Sequence, residues 1–294
     1  MTYTVTPENA GISILQFFRL RLKLSVTAVR RLKYRERGIT VNGNEVTVRF
    51  ILHEGDVIVL DESDTEQGTL IASDLPVNIV YSDGIITVCD KPPFMPTHPV
   101  HGHLDDTLAN ALAYRSGDPG FVFRPMNRLD RNTSGLVVTA DNFLASGSLG
   151  AQMKKGQVHK TYLAIVCGVP ENRHGVVDAP IIRSDPGVLM RTVGSGGDEA
   201  LTVYDVISVS HDGKLSLVRL RPQTGRTHQI RVHMAHIGCP LLGDFMYGQE
   251  SPLISRHALH ACGIIFRHPS DGRIMDIRSP LPADMAAVLG SEFL

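Results

Sequence analysis

The sequence has almost no net charge: 29 lysines and arginines stand against 30 acids, giving −1. Any nucleic-acid surface must therefore come from a local patch and not from overall balance. No uninterrupted apolar run approaches the length that crosses a bilayer, which argues against a membrane-spanning helix. The N-terminal MTYTVTPENAG lacks the basic start and apolar stretch of a secretory leader. Four cysteines, Cys89, Cys167, Cys239 and Cys262, are far apart and form no Cys-x-x-Cys pair. That spacing argues against a zinc knuckle or a disulfide framework and fits a reducing cytoplasm. There is no phosphate-binding glycine loop, dinucleotide fingerprint or metal-ligand cluster. What remains is a chain of 294 residues, 43% apolar, long enough for one large domain or two smaller ones.

The stretch NRLDRNTSGL, Asn127 to Leu136, places Arg128, Asp130 and Arg131 around one apolar residue, Leu129. Turn and cap formers follow, and then Leu136-Val137-Val138, which reads as a buried strand. A carboxylate between arginines, just before a turn that feeds a core strand, is held at a surface with rigid backing. It serves equally as a turn cap with solvated arginines.

A second stretch, RPQTGRTHQIRVHMAHIGCPLLGD, runs from Arg221 to Asp244. A turn at 222–225 leads to a helix expected to be capped by Thr227 and to stop at Gly238 before Pro240. Ile230, Met234 and Ile237 form its core stripe, so Arg231 and His228 project beside that stripe. His228, His233 and His236 have no pair at i, i+4 and no acidic or thiol partner beside them, so metal ligation is not expected.

Elsewhere, apolar residues at helical spacing over 11–20 predict a first helix, and a second is expected from a Ser25 cap to near Arg37, with Gly38 beyond it. Ile39–Val41 and Glu45–Val48 read as a hairpin about Asn42-Gly43, and Gly55-Asp56 turns into a strand at 57–60. Between Arg19 and Arg37 lie eight basic residues, Arg30, Arg31 and Lys33 among them, against the single acid Glu36. A solvated helix face and a phosphate-binding surface both fit this run. Residues 61–76 are acidic at first and read as a linker.

In the larger part, a hairpin about Asp83-Gly84 precedes a proline-rich loop, 92–99, flanked by Lys91 and containing His98. Helices are expected from Asp106-Thr107 and over 143–155. The strand 160–166 puts Lys160, Tyr162 and Ala164 on one face. Residues 183–200, with Arg183 and Arg191, read as a hairpin with a mobile connection from Gly194 to Asp198. Further strands at 202–206 and 215–221, without regular βαβ alternation, predict an α+β fold with a mostly antiparallel mixed sheet.

Arg-Leu-Asp-x-x-Thr-Ser-Gly-Leu resembles the catalytic motif of the RluA-type pseudouridine synthases. Lys160-x-Tyr162 and Gly225-Arg-Thr-His-Gln-Ile-Arg-Val-His233, followed by Pro240-Leu-Leu-Gly-Asp244, resemble two later motifs of that family, and the likeness covers roughly residues 75–285. The first sixty residues are similar to an S4-type RNA-binding module. The resemblance implies an S4-like domain at 1–62, a linker at 63–76 and a catalytic domain at 77–294. It further implies that Asp130 is the catalytic residue, that Arg231 pairs with it, and that Tyr162 stacks on the flipped uracil. Arg128 would displace the target nucleotide. Lys160, Arg226, His228, Arg30, Arg31 and Lys33 would approach RNA. Two departures are visible, Asn127 where the family usually has His and Phe94 where it commonly has Gly.

Uridine and pseudouridine are isomers, so the resemblance implies no cofactor and no metal. The implied partner is a structured RNA, ribosomal in preference to transfer RNA, and nothing in the sequence demands more than a monomer. Burial favours a neutral acid and a neighbouring arginine favours the carboxylate, so Arg231 is expected to keep Asp130 ionised. A non-catalytic ribosome-assembly factor on the same scaffold is the competing reading. A metal-dependent hydrolase built on the histidine-rich helix is a second.

Overall fold

A computed structural model describes residues 1–293 except 23, 25, 63–67, 185, 186 and 188. The expected Ser25 cap, Lys23 of the basic stretch and the first part of the expected linker lie outside the described residues. Strands β1 (Thr2–Thr4), β2 (Ile39–Val41), β3 (Asn44–Glu45) and β4 (Val57–Leu60) form a small antiparallel sheet in the order β1-β4-β2-β3. Helices α1 (Ile14–Leu20) and α2 (Val26–Lys33) accompany it. Ser13 and Gln16 cap α1 reciprocally, satisfying two backbone donors at once. The apolar positions of this region, including Ile14, Phe18, Leu32 and Ile58, share one buried cluster with Phe143 and Leu144.

Two expectations fail here. Helix α2 stops at Lys33, four residues short of Arg37. The left-handed residue is Arg37, at φ 50°, while Gly38 is required because a Cβ would lie 2.2 Å from the Leu32 carbonyl oxygen. The Asn42-Gly43 turn forms with both residues at positive φ, but β3 ends at Glu45. Beyond it the chain turns its carbonyls to α1, with Val48 accepting from Leu15 N at 2.9 Å and Phe50 from Ile14 N at 3.0 Å.

The remaining elements are β5 (Asn78–Ser82), β6 (Ile86–Lys91), α3 (Leu108–Ser116), β7 (Ser134–Ala140), α4 (Phe143–Lys154), β8 (His159–Cys167), β9 (His174–Asp178), β10 (Ile181–Arg183), β11 (Arg191–Val193), β12 (Leu201–Val209), β13 (Leu215–Pro222), α5 (Gln229–His236), β14 (Leu259–Arg267), β15 (Ile274–Arg278) and α6 (Ala283–Glu292). Among the described residues, nine strands form one sheet ordered β5-β6-β7-β14-β8-β13-β12-β9, with β15 added to β14. Every pairing is antiparallel except β7 with β14. The fold is α+β, and no described helix is long and apolar enough to cross a membrane.

Strand β7 is buried at all seven positions, as suits a central strand built around the apolar run 136–138. Gly135, at φ 115°, is needed where β7 meets β14: a Cβ would lie 2.4 Å from the Ala261 carbonyl oxygen. Within residues 68–76, Ile71 O accepts from Asn110 Nδ2 of α3 at 2.7 Å, and Ser73 N donates to the Asn110 backbone carbonyl at 3.2 Å. The Gly194–Asp198 segment is not the connection of the β10–β11 hairpin, because it follows β11. It folds back on β10 through a reciprocal Asp198–Ile181 backbone pair at 2.9 and 3.0 Å.

Candidate active site

Asp130 sits on the turn into β7, closed by Thr133 N donating to Asp130 O at 3.1 Å. The residue before it is clamped: Leu129 N donates to Thr97 Oγ1 at 3.1 Å, and that hydroxyl donates to Leu129 O at 2.8 Å. Thr97 belongs to the proline-rich loop, so the loop fixes the backbone beside the carboxylate. Buried Lys91 braces the same region, donating to Pro92 O, Met95 O and Arg131 O. Burial pushes its pKa down to about 7. His98 stays half-buried in the loop, and burial, then the Arg128 charge, push its pKa down. Phe94 adopts φ 66°, so the chain here does need the conformation that glycine takes most easily. Asn127 gives both ends of its amide to β7, donating to Leu136 O and accepting from Val138 N, each at 2.9 Å.

Helix α5 brings the facing groups. Arg231 is 3% exposed. It binds Asp244 through Nε and Nη2, both at 2.7 Å, and reaches Asp130 Oδ2 through Nη1 at 3.3 Å. Burial alone would lower the Arg231 pKa, but the bonds and charge of Asp244 outweigh it and hold the guanidinium above its ordinary value. Asp244 is held below the ordinary carboxylate range by the same pair, against its own burial. Thr227 does not cap α5. His228 takes that position at φ 59° with no side-chain cap, and the Gln229 side chain accepts from Arg226 N and Thr224 Oγ1 instead. The left-handed turn aims the His228 ring inward, with Nε2 3.7 Å from Asp130 Oδ2.

Asp130, Tyr162, Arg231, Arg128, Lys160, Arg226 and His228 all line one cleft of about 310 Å³. Tyr162 is buried on β8, and burial, then the Asp130 charge, raises its hydroxyl pKa. Lys160, on the same strand face, has its pKa lowered by burial. Arg128 is exposed at the cleft, with no ion pair among the described residues. Arg226 is exposed and anchors its Nε on Glu199 O at 2.9 Å. Arg30 and Lys33 are exposed on α2, far along the chain from these groups, whereas Arg31 turns inward and stacks on Phe143 at 4.3 Å. No group of metal-ligating side chains occurs among the described residues.

Sequence reasoning assigned no role to Asp244, Thr97, Tyr247, Arg256 or His257. Arg256, fully buried, pairs bidentately with Asp284 of α6 and donates to Asn132 O and Ser134 Oγ behind the Asp130 turn. His257 meets Thr133 Oγ1 at 2.8 Å. Asp244 closes the 221–244 run, 13 residues after Arg231.

Residues 85–236 match the family model described as RNA pseudouridylate synthase. The chain is 34% identical over 274 residues to a Bacillus subtilis protein named uncharacterized RNA pseudouridine synthase YjbO, covering 92% of this chain and 96% of that one. It is 39% identical over 267 residues to the ribosomal large subunit pseudouridine synthase D of Pseudomonas aeruginosa, covering 85% and 82%. Among solved structures, human RNA pseudouridylate synthase domain containing 1 aligns with TM-score 0.60 and 31% identity over 72% of this chain and 87% of that one. The chain belongs to the family of RNA pseudouridine synthases, isomerases that act on RNA.

Proposed function

We propose that this chain converts uridine to pseudouridine in the ribosomal RNA of the large subunit, in the cytoplasm, with Asp130 as the catalytic carboxylate. The observation that carries the reading is the convergence, in one cleft, of Asp130, the Arg231 guanidinium and buried Tyr162 from three separate elements. The reaction breaks the bond from C1′ to N1 and makes one from C1′ to C5; a proton leaves C5 and N1 gains one. No atoms are exchanged with a cofactor. A base must first leave its stack, which costs a few kcal/mol. Arg128, exposed at the cleft and without an ion pair among the described residues, fills the vacated space, and the Tyr162 ring receives the uracil. Arg231 Nη1 donates to Asp130 Oδ2 at 3.3 Å and so holds the carboxylate at the wall of the cleft. Lys160, Arg226 and His228 line the path of the RNA strand.

The N-terminal sheet and helices serve as an S4-like RNA-binding module, with Arg30 and Lys33 facing phosphate. Arg31 contributes to docking of α2 on Phe143 instead of to RNA contact. The choice of ribosomal RNA rests on relatives named for the large ribosomal subunit. Mapping pseudouridines in cells that lack this protein tests it: the reading expects one or more sites to vanish from large-subunit RNA. Loss confined to transfer RNA would reject the substrate while leaving the chemistry intact.

A further inference from the structure

Tyr247 touches each group that faces Asp130, yet it lies outside the motifs that point to the cleft. It stands on the turn after Asp244, whose Oδ1 accepts Met246 N at 3.1 Å and Tyr247 N at 3.3 Å. The Arg231 guanidinium lies over its ring, 4.9 Å from the centroid. The His228 ring meets it edge-on at 5.7 Å and 78°. Its hydroxyl receives the Arg191 backbone N–H at 2.9 Å and lies 2.8 Å from His228 Nδ1.

Proton accounting then favours one state of His228. A backbone N–H can only donate, so the Tyr247 oxygen is the acceptor in that bond. Its own proton is free for another partner, and His228 Nδ1 is the ring nitrogen within reach. With Nδ1 accepting, the proton of a neutral imidazole lies on Nε2, since the bond made by one ring nitrogen sets the state of the other. The opposite tautomer would leave the Tyr247 proton without an acceptor among the described residues. It would also aim the Nε2 lone pair at the Asp130 carboxylate, 3.7 Å away.

We propose that Tyr247 is a positioning residue that fixes His228 as the Nε2–H tautomer, so that Asp130 Oδ2 lies between two donors, Arg231 Nη1 and His228 Nε2. The inference rests on the reading of Asp130 as the catalytic carboxylate. It assigns Tyr247 no contact with substrate. The bond from Arg191 ties this triad to the β10–β11 hairpin.

Tyr247→Phe is the test, because the ring under Arg231 stays and only the hydroxyl goes. Nitrogen NMR of the histidine rings in the free protein should show His228 protonated at Nε2 in the natural chain and a mixture in Tyr247→Phe. Turnover should fall about tenfold, the scale of one hydrogen bond to a charged group, with RNA affinity unchanged. On a His228→Ala background, Tyr247→Phe should cost nothing further. A natural chain protonated at Nδ1, unchanged turnover in Tyr247→Phe, or an equal loss on both backgrounds overturns the inference. The tautomer is read without turnover, so it stands apart from the Asp130 assignment. If Asp130→Asn kept its activity, the reading of the site would fail whatever the NMR showed.

Discussion

Arg231 commits most of its guanidinium to Asp244, at 2.7 Å twice, and offers Asp130 the remaining nitrogen at 3.3 Å. The short pair holds the side chain in place, and the longer contact holds Asp130 less tightly. Asp130 and Arg231 were legible because each sits in a dense, unusual run. Asp244 was not assigned a role, since an acid beside glycine in a turn reads as solvated until the fold buries it. His257 gave no signal at all. Its pKa is pushed down to about 3, first by burial and then by the Arg231 charge. Below the ordinary value of 6.5 the unfolded chain therefore takes up a proton that the folded one refuses, and stability falls as pH is lowered through that window. His228, His233 and His260 are shifted the same way, each mainly by burial. Denaturant unfolding between about pH 7 and pH 5 should show this loss before carboxylates titrate, and His257→Gln should reduce it. An identical loss in that variant would show that His257 does not carry the effect.

Among elements, β7 and α5 do most to place the site. The apolar run of β7 identified it as a core strand, and the core stripe of α5 set the direction of Arg231. The start of α5 differs from expectation because Thr227 is a good cap by type, while the chain needs the left-handed turn at His228 to aim its ring. Such a turn leaves no mark in a histidine's neighbours. The β7–β14 junction was equally hidden, since parallel pairing joins residues about 126 positions apart. Gly135→Ala should lower stability by at least about 1–3 kcal/mol, the cost of a strained backbone position, with the clash against Ala261 added. Thermal unfolding measures it; a neutral result would mean that β14 can move aside freely.

On the scale of the whole molecule, α2 rests on α4. Burying Phe143 and Leu144 against the N-terminal cluster contributes about 1.5–3 kcal/mol each. The Arg31 cation–π contact adds about 0.5–2 kcal/mol. Apolar packing therefore holds the two parts together, and the exposed cations of α2 remain for other work. A run of basic residues in sequence could not reveal which of them turn inward. Replacing Arg30 and Lys33 together with Gln should flatten the salt dependence of RNA binding, the log–log slope falling by about one for each phosphate left unneutralised. Binding measured across a salt series would show an unaltered slope if α2 does not meet RNA.

The central claim is that the Asp130 carboxylate performs the isomerisation. The most direct measurement is tritium release from C5 of labelled uridines in large-subunit RNA by Asp130→Asn, with RNA binding measured beside it. The account predicts bound RNA and no release. Release at a rate near that of the natural chain would contradict it.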